Sequence, residues 1–207
     1  MHAVLNCSKL VCLSPKTPYN KPSFINFCGS AGAGKSTAAY GLAHVMKQRY
    51  IDVELIDEYA KKLVLAGSQH MLADQLTILA EQNSRLHYAS LPQNRIEYVV
   101  TDSPLFLSAF YVPEDYPASF PVLVLDMFRH YDNINIFLER NHPYNPVGRL
   151  QTESESDKDA ERMKTLLRAN NIPFTVMKAG DHVPMTVMEM LGLTMAPAKE
   201  VHPVSRP

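Results

Sequence analysis

Between Gly29 and Ser36 the sequence reads GSAGAGKS, a glycine-rich turn ending in a lysine and a hydroxyl. It satisfies G-x-x-x-x-G-K-[ST], a spacing suited to a chain of phosphates. Glycines let successive backbone N–H groups turn toward an anion, and a helix starting at the same point adds the favourable field of its N-terminus. Lys35 is then placed to bridge the β- and γ-phosphates, and the Ser36 hydroxyl to ligate Mg²⁺. The apolar run SFINFC before the turn and the helical pattern from Lys35 to Tyr50 after it are the flanks this motif needs. They separate it from a chance Gly/Ala-rich turn. The phosphate-binding set is Gly29, Gly32, Ala33, Gly34, Lys35, Ser36 and Thr37.

Where the phosphate goes next depends on the acids. YVVTDSP places Asp102 at the end of an apolar run, as the acidic partner for magnesium. An ATPase built for hydrolysis follows that aspartate with a glutamate that activates water; here Ser103 follows. No Asn-Lys-x-Asp run exists to read guanine, so a GTPase switch is disfavoured as well. VELIDEYAKK ends a second apolar run with Asp57 and Glu58. One of these carboxylates can orient an acceptor hydroxyl and take its proton, or both can simply stabilise a helix N-terminus. ERNHPYNPVGRLQ carries Arg140 and Arg149 around two prolines and a glycine. Arginines on such a loop can close on a transferring phosphoryl group and exclude water; otherwise they are surface residues.

Weaker signals surround these. Gln75 and Gln82, seven residues apart on a helical pattern, share a face with amides able to pair with a base edge, and Arg85 follows; a solvated polar face fits equally well. Tyr59, Phe106 and Tyr111 are available to stack on a base. His70, His87, His130 and His142 have no metal-ligand spacing, and the Met-rich VPMTVMEM reads as core packing.

The elements that must position these residues alternate. Strands are expected at 23–28, 51–56, 95–101, 133–138 and 172–178. Helices are expected at 35–50, 58–66, 71–90, 104–111, 119–131, 152–169 and 184–191, with Thr152 and Glu155 at capping-box spacing. This alternation predicts an α/β fold with a five-stranded parallel sheet covered by helices on both faces. Such sheets bind ligands at the carboxyl ends of their strands, where the phosphate loop, the acids and the arginine loop all fall. Residues 23–193 form the expected domain, with a lid loop near 140–150. Residues 1–22 read as a lysine-bearing, proline-interrupted extension, either a loosely packed arm or one that contacts substrate or another copy in a homodimer. Residues 194–207 read as an irregular tail. With 46% hydrophobic residues a real core is expected, and a net charge of −1 provides no overall field for nucleic acid. Cys7, Cys12 and Cys28 fit no zinc pattern and read as reduced thiols of a cytoplasmic protein, and no run is long enough to span a membrane.

In order, GSAGAGKST, VELIDEYAK, AEQNSRL, VVTDSPL and NIFLERNHPYNPVGRLQ resemble a family of small phage and bacterial P-loop proteins. That family is similar to the ribosylnicotinamide-kinase domain of bacterial NAD-salvage proteins and, more distantly, to nucleoside and nucleotide kinases. The resemblance covers about residues 23 to 180. It implies a P-loop NTPase fold with the phosphate-loop strand central, and ATP with Mg²⁺. Carried over by motif, Lys35, Ser36 and Thr37 hold phosphate and metal, Asp102 the metal, Glu58 the acceptor, and Arg140 and Arg149 the phosphates. Nucleoside kinases often carry an arginine just after the third strand's acid, where this chain has DSPLF, and they do not require the extension at 1–22.

The leading expectation is therefore a kinase of a nucleoside- or nucleotide-like small molecule, held among Glu58, Tyr59, Gln75, Gln82, Arg85 and Phe106. A kinase of a hydroxymethylated base in phage DNA is a second expectation, weakened by the near-neutral charge. An ATP-binding regulatory module or weak ATPase is a third. If the chain is phage-encoded, its compartment is the host cytoplasm.

Overall fold

The computed structural model describes residues 21–145 and 151–193. The arm up to residue 20, the tail from 194, and Arg149 with its neighbours 146–150 lie outside the described residues. Five strands form one all-parallel sheet: β1 (Ser23–Cys28), β2 (Val53–Ile56), β3 (Tyr98–Thr101), β4 (Asp132–Glu139) and β5 (Thr175–Lys178), in the order β2-β3-β1-β4-β5. The strand before the phosphate loop is central. Among the described residues, seven α-helices connect or cover the strands: α1 (Lys35–Gln48), α2 (Tyr59–Leu65), α3 (Gln75–Ala89), α4 (Leu107–Phe110), α5 (Ser119–Arg129), α6 (Glu153–Ala169) and α7 (Val183–Met190). The fold is the α/β P-loop NTPase fold.

Alternation along each strand divides the core. Phe24 and Cys28 of β1, Val99 of β3 and Phe137 of β4 face one cluster with α3, α4, α5 and α6. Ile25, Phe27, Val100, Ile136 and Leu138 face the other, beneath α1 and α7. Burial on both faces explains why the central strands read as continuous apolar runs.

One polar strip interrupts this core. Asn26 and Asn135 are register partners on β1 and β4. The Asn26 amide donates to Asn133 Oδ1 at 2.8 Å and Asn135 Oδ1 at 2.9 Å. Asn135 Nδ2 in turn donates to Pro173 O, and Asn133 Nδ2 to Phe128 O and Tyr131 O. The strip gives this strand pair side-chain bonds that a slipped register would break.

The elements depart from the sequence expectation mainly at their ends. Arg95 takes a left-handed φ of 52° after a 3₁₀ turn at Pro92–Asn94, so β3 starts only at Tyr98. The expected helix at 71–90 begins as a 3₁₀ turn, Gln69–Ala73, before Asp74 caps α3 through the Thr77 N–H. The expected helix at 104–111 reduces to the four residues of α4. The capping box at Thr152 and Glu155 is present, and no helix among the described residues is long and apolar enough to cross a membrane.

Candidate functional site

The turn from β1 to α1 closes by an Ala33 N–H bond to Ser30 O at 3.2 Å. Gly29 has φ 138°, and a Cβ there would meet the Leu138 carbonyl oxygen at 2.7 Å. Only glycine fits so close to β4 in that conformation. Gly34 enters α1 in the left-handed region at φ 86°, at a helix N-terminus with no side-chain cap bond, where the first N–H groups of any α-helix lack partners within the helix. Lys35 Nζ donates to Ser30 O at 3.0 Å. Ser36 Oγ donates to Asp102 Oδ2 at 2.5 Å, joining the loop to the end of β3. Asp102 is 3% exposed, and its Oδ1 is buried without a hydrogen-bond partner. Gly32 and Ala33 complete the turn, and Thr37 is exposed on α1.

The two acids after β2 part company. Glu58 occupies the N-cap position of α2 yet makes no side-chain cap bond. Burial pushes its carboxyl above the usual carboxylate range; the Lys35 ammonium opposes this, the Asp102 charge reinforces it, and Lys61 opposes it. Glu58 therefore lies in the electrostatic reach of the phosphate-loop lysine and the β3 aspartate. Asp57 is ion-paired instead to Lys62 at 3.2 Å and Arg85 at 3.8 Å. With those partners it lines a separate groove of about 650 Å³ beside β2, which also includes Tyr88 and Asn94.

The expected acceptor residues separate in the same way. The Tyr59 N–H donates to Gln82 Oε1 at 3.3 Å, and Arg85 stacks over the Tyr59 ring at 5.1 Å. Gln82 is 3% exposed, and its Nε2 is buried without a partner. Gln75 is buried too, with its amide spent on Leu72 O at 2.8 Å. The solvated-face alternative for the two glutamines is thus excluded. Phe106 departs from expectation: it has no exposed surface and packs edge-on to Phe128 at a centroid distance of 5.5 Å. It is a core residue because DSPLF turns inward after Asp102, and it offers no face to a base. Tyr111 keeps 41% of its surface exposed, yet its hydroxyl end is buried, which pushes the hydroxyl well up, with the Asp159 and Glu58 charges adding to the effect.

Arg140, at the end of β4, pairs with Asp157 at 2.6 Å and Glu153 at 3.1 Å on α6, and its guanidinium lies over the Tyr144 ring. These pairs close the base of the loop that starts after it. Its Nη1 is buried without a partner. Tyr144 donates to Gln151 O across the same loop. His142, absent from the expected set, places Nε2 3.8 Å from where a Cβ on Gly34 would stand. Ser156 also went unread: its sequence setting, ESESDKD, is that of an exposed acidic helix start. In the fold it is fully buried, with its hydroxyl donating to Ala31 O at 2.7 Å.

Comparison with known proteins agrees with this architecture. A family described as an AAA domain matches residues 24–183. No curated protein matches the sequence. Among solved structures, thymidylate kinase from Ehrlichia chaffeensis is similar at 18% identity and a TM-score of 0.59, covering 83% of this chain and all of that one. A NadR protein in complex with NR is similar at 18% identity and a TM-score of 0.61, over 83% of this chain. A NadR protein in complex with NAD and AMP-PNP gives 15% identity and a TM-score of 0.63, over 85% of this chain. The chain spans about half the length of the two NadR structures, 52% and 51%. At these identities the likeness is one of fold.

Proposed function

This chain belongs to the AAA-domain family, and from that premise we propose that it is an ATP-dependent phosphotransferase acting on a nucleoside- or nucleotide-like small molecule. The observation that carries the reading is the division between the two acids. Glu58 makes no helix-capping bond and lies within the electrostatic reach of Lys35 and Asp102, while Asp57 is committed to Lys62 and Arg85. A carboxylate beside the phosphate-loop lysine is where an acceptor hydroxyl needs orienting and deprotonating. Ser103 stands where a hydrolase of this fold would keep a water-activating glutamate.

The donors suit Mg²⁺. Asp102 has one buried carboxylate oxygen without a partner and shares the other with Ser36 Oγ. Magnesium is commonly held by one or two carboxylates plus substrate phosphates, and among the described residues no cluster of three metal-binding side chains is present. When bound there, the ion would neutralise phosphate charge. Lys35 and the loop N–H groups would hold the phosphates, and Glu58 would accept the proton of the acceptor hydroxyl. Arg140, whose buried Nη1 has no hydrogen-bond partner, and Arg149 would close over the transferring group. Tyr59 and Gln82 would contact the acceptor, the Gln82 amide donating to an acceptor carbonyl or ring nitrogen. The likeness to thymidylate kinase and to NadR in complex with NR supports a nucleoside- or nucleotide-like acceptor.

The test is an acceptor screen with γ-labelled ATP and Mg²⁺. Nucleosides, ribosylnicotinamide, nucleoside monophosphates and hydroxymethyluracil-containing DNA are assayed side by side, with Lys35→Ala as control. Label on a small acceptor, lost in the control, supports the reading. Label on DNA replaces the acceptor class, and free phosphate alone replaces transfer with hydrolysis.

A further inference from the structure

We infer that Ser156, on α6 and outside the phosphate-loop motif, is a positioning residue that holds this loop in its anion-receiving shape. The inference rests on the reading of the loop as an ATP site. Ser156 Oγ donates to the Ala31 carbonyl at 2.7 Å and makes a second contact with Ser30 Oγ at 3.0 Å. Ser30 is itself the hinge of the loop. Its carbonyl accepts the Ala33 N–H at 3.2 Å and the Lys35 ammonium at 3.0 Å. Ser156 therefore grips the two residues whose placement closes the turn and locates the lysine. With no exposed surface, its hydroxyl has no competing water to satisfy it.

The helix that carries Ser156 is anchored independently. Thr152 and Glu155 form a reciprocal capping box, with Thr152 N–H donating to Glu155 Oε2 at 2.7 Å and Glu155 N–H to Thr152 Oγ1 at 3.3 Å. Arg140 at the end of β4 binds Glu153 and Asp157, the helical neighbours on either side of Ser156. The first turn of α6 is thus tied to β4 on one side and to the phosphate loop on the other. A receptor loop ordered before its ligand arrives loses less entropy on binding. Removal of the Ser156 bond lets Ser30 and Ala31 move and raises that cost, with no loss of any group that touches phosphate.

The experiment is calorimetric titration of the full chain with MgATP, with melting temperature and amide hydrogen exchange measured in parallel. Ser156→Ala is expected to weaken MgATP by tenfold or more and to speed exchange of the Ala33 and Gly34 amides without ligand. Ser156→Thr, which keeps the hydroxyl, is expected to recover most of the affinity. Ser108→Ala removes another buried hydroxyl, on α4, and is expected to leave MgATP affinity unchanged whatever it does to melting temperature. An affinity for Ser156→Ala within twofold of wild type overturns the inference and leaves the ATP site standing. If Ser156→Ala does not fold, Ser156→Cys, a weaker donor of similar size, carries the test: an unchanged affinity overturns the inference and a severalfold loss supports it. Failure of the wild-type chain to bind MgATP overturns the phosphate-loop reading itself, and the inference with it.

Discussion

Asp57 and Glu58 are one peptide bond apart and meet opposite surroundings. Two cations hold Asp57, whereas burial and the nearby Asp102 charge work against ionisation of Glu58. A base with a raised pKa is a better proton acceptor near neutral pH. Glu58→Gln is expected to lower kcat by about 10²-fold or more, the usual range for a lost general base, with KM for ATP nearly unchanged. Asp57→Asn is expected to leave kcat within a few-fold. Steady-state kinetics on the acceptor found by screening checks both, and a reversal of the two effects would transfer the role to Asp57. With Glu58 as the proposed base, its ionised form is the active one, so wild-type kcat is expected to rise with pH through a limb above the ordinary glutamate range and Glu58→Gln to lack that limb. Stability responds with the opposite sign. A carboxyl whose folded pKa is raised contributes stability that is fully present below its unfolded pKa and is lost as pH rises through the folded value. In metal-free buffer Glu58→Gln is therefore expected to melt above wild type at neutral pH, with the gap closing on acidification.

Between residues and the whole fold, the elements show what the sequence made legible. The phosphate loop was readable because its glycines, lysine and serine are local in sequence and its flanks carry unambiguous periodicity. The central strands β1, β3 and β4 were readable because they bury both faces, whereas the edge strands β2 and β5, with more exposed positions, were readable only as short apolar runs between helical patterns. What was misread at Phe106, and what went unnoticed elsewhere, both trace to long-range packing. Phe106 follows a site aspartate and looks available, but the chain turns it into the core against Phe128. Ser156 sits in an acidic helix start and looks solvated, yet a contact 125 residues away in sequence buries it on the phosphate loop. The asparagine strip is invisible for the same reason, since Asn26, Asn133 and Asn135 meet only once β1 and β4 pair. Asn26→Val would strand the Asn133 and Asn135 oxygens, and about 1–3 kcal/mol of destabilisation is expected for a buried group left unsatisfied. Chemical denaturation checks this; an unchanged midpoint would show that the strip contributes nothing to stability. At the arginine-bearing loop the expectation is kinetic. Arg149→Ala is expected to slow transfer by about 10³-fold, as for arginines that meet the transferring phosphoryl group, in single-turnover measurements. An unchanged rate would return Arg149 to the protein surface.

For the molecule as a whole, the sheet order places β1 at the centre, with β3 and β4 as its neighbours. The phosphate loop, Asp102 and Arg140 therefore converge at the carboxyl ends of three adjacent strands, with Glu58 beyond the next strand outward. Ligand contacts there would span the sheet, so a nucleotide held at this edge would couple to the stability of the entire domain. The coupling has a calculable size. A ligand at one hundred times its Kd that binds only the folded state adds about 2.7 kcal/mol. For a chain of this size, about 2–4 °C of melting temperature corresponds to each kcal/mol, so saturating MgATP is expected to raise Tm by roughly 5–11 °C. Lys35→Ala is expected to leave the ligand-free Tm close to wild type, because Lys35 stands at the half-buried start of α1, outside both apolar core clusters. The same variant is expected to lose most of the MgATP shift. Thermal unfolding of both proteins with and without MgATP checks this directly. A shift that survives Lys35→Ala intact would move the nucleotide away from the phosphate loop. A ligand-free Tm that falls by as much as the ligand adds would make Lys35 a structural residue of the fold. Loss of the shift at unchanged ligand-free stability assigns Lys35 to the phosphates, and with it the carboxyl edge of the sheet to nucleotide binding.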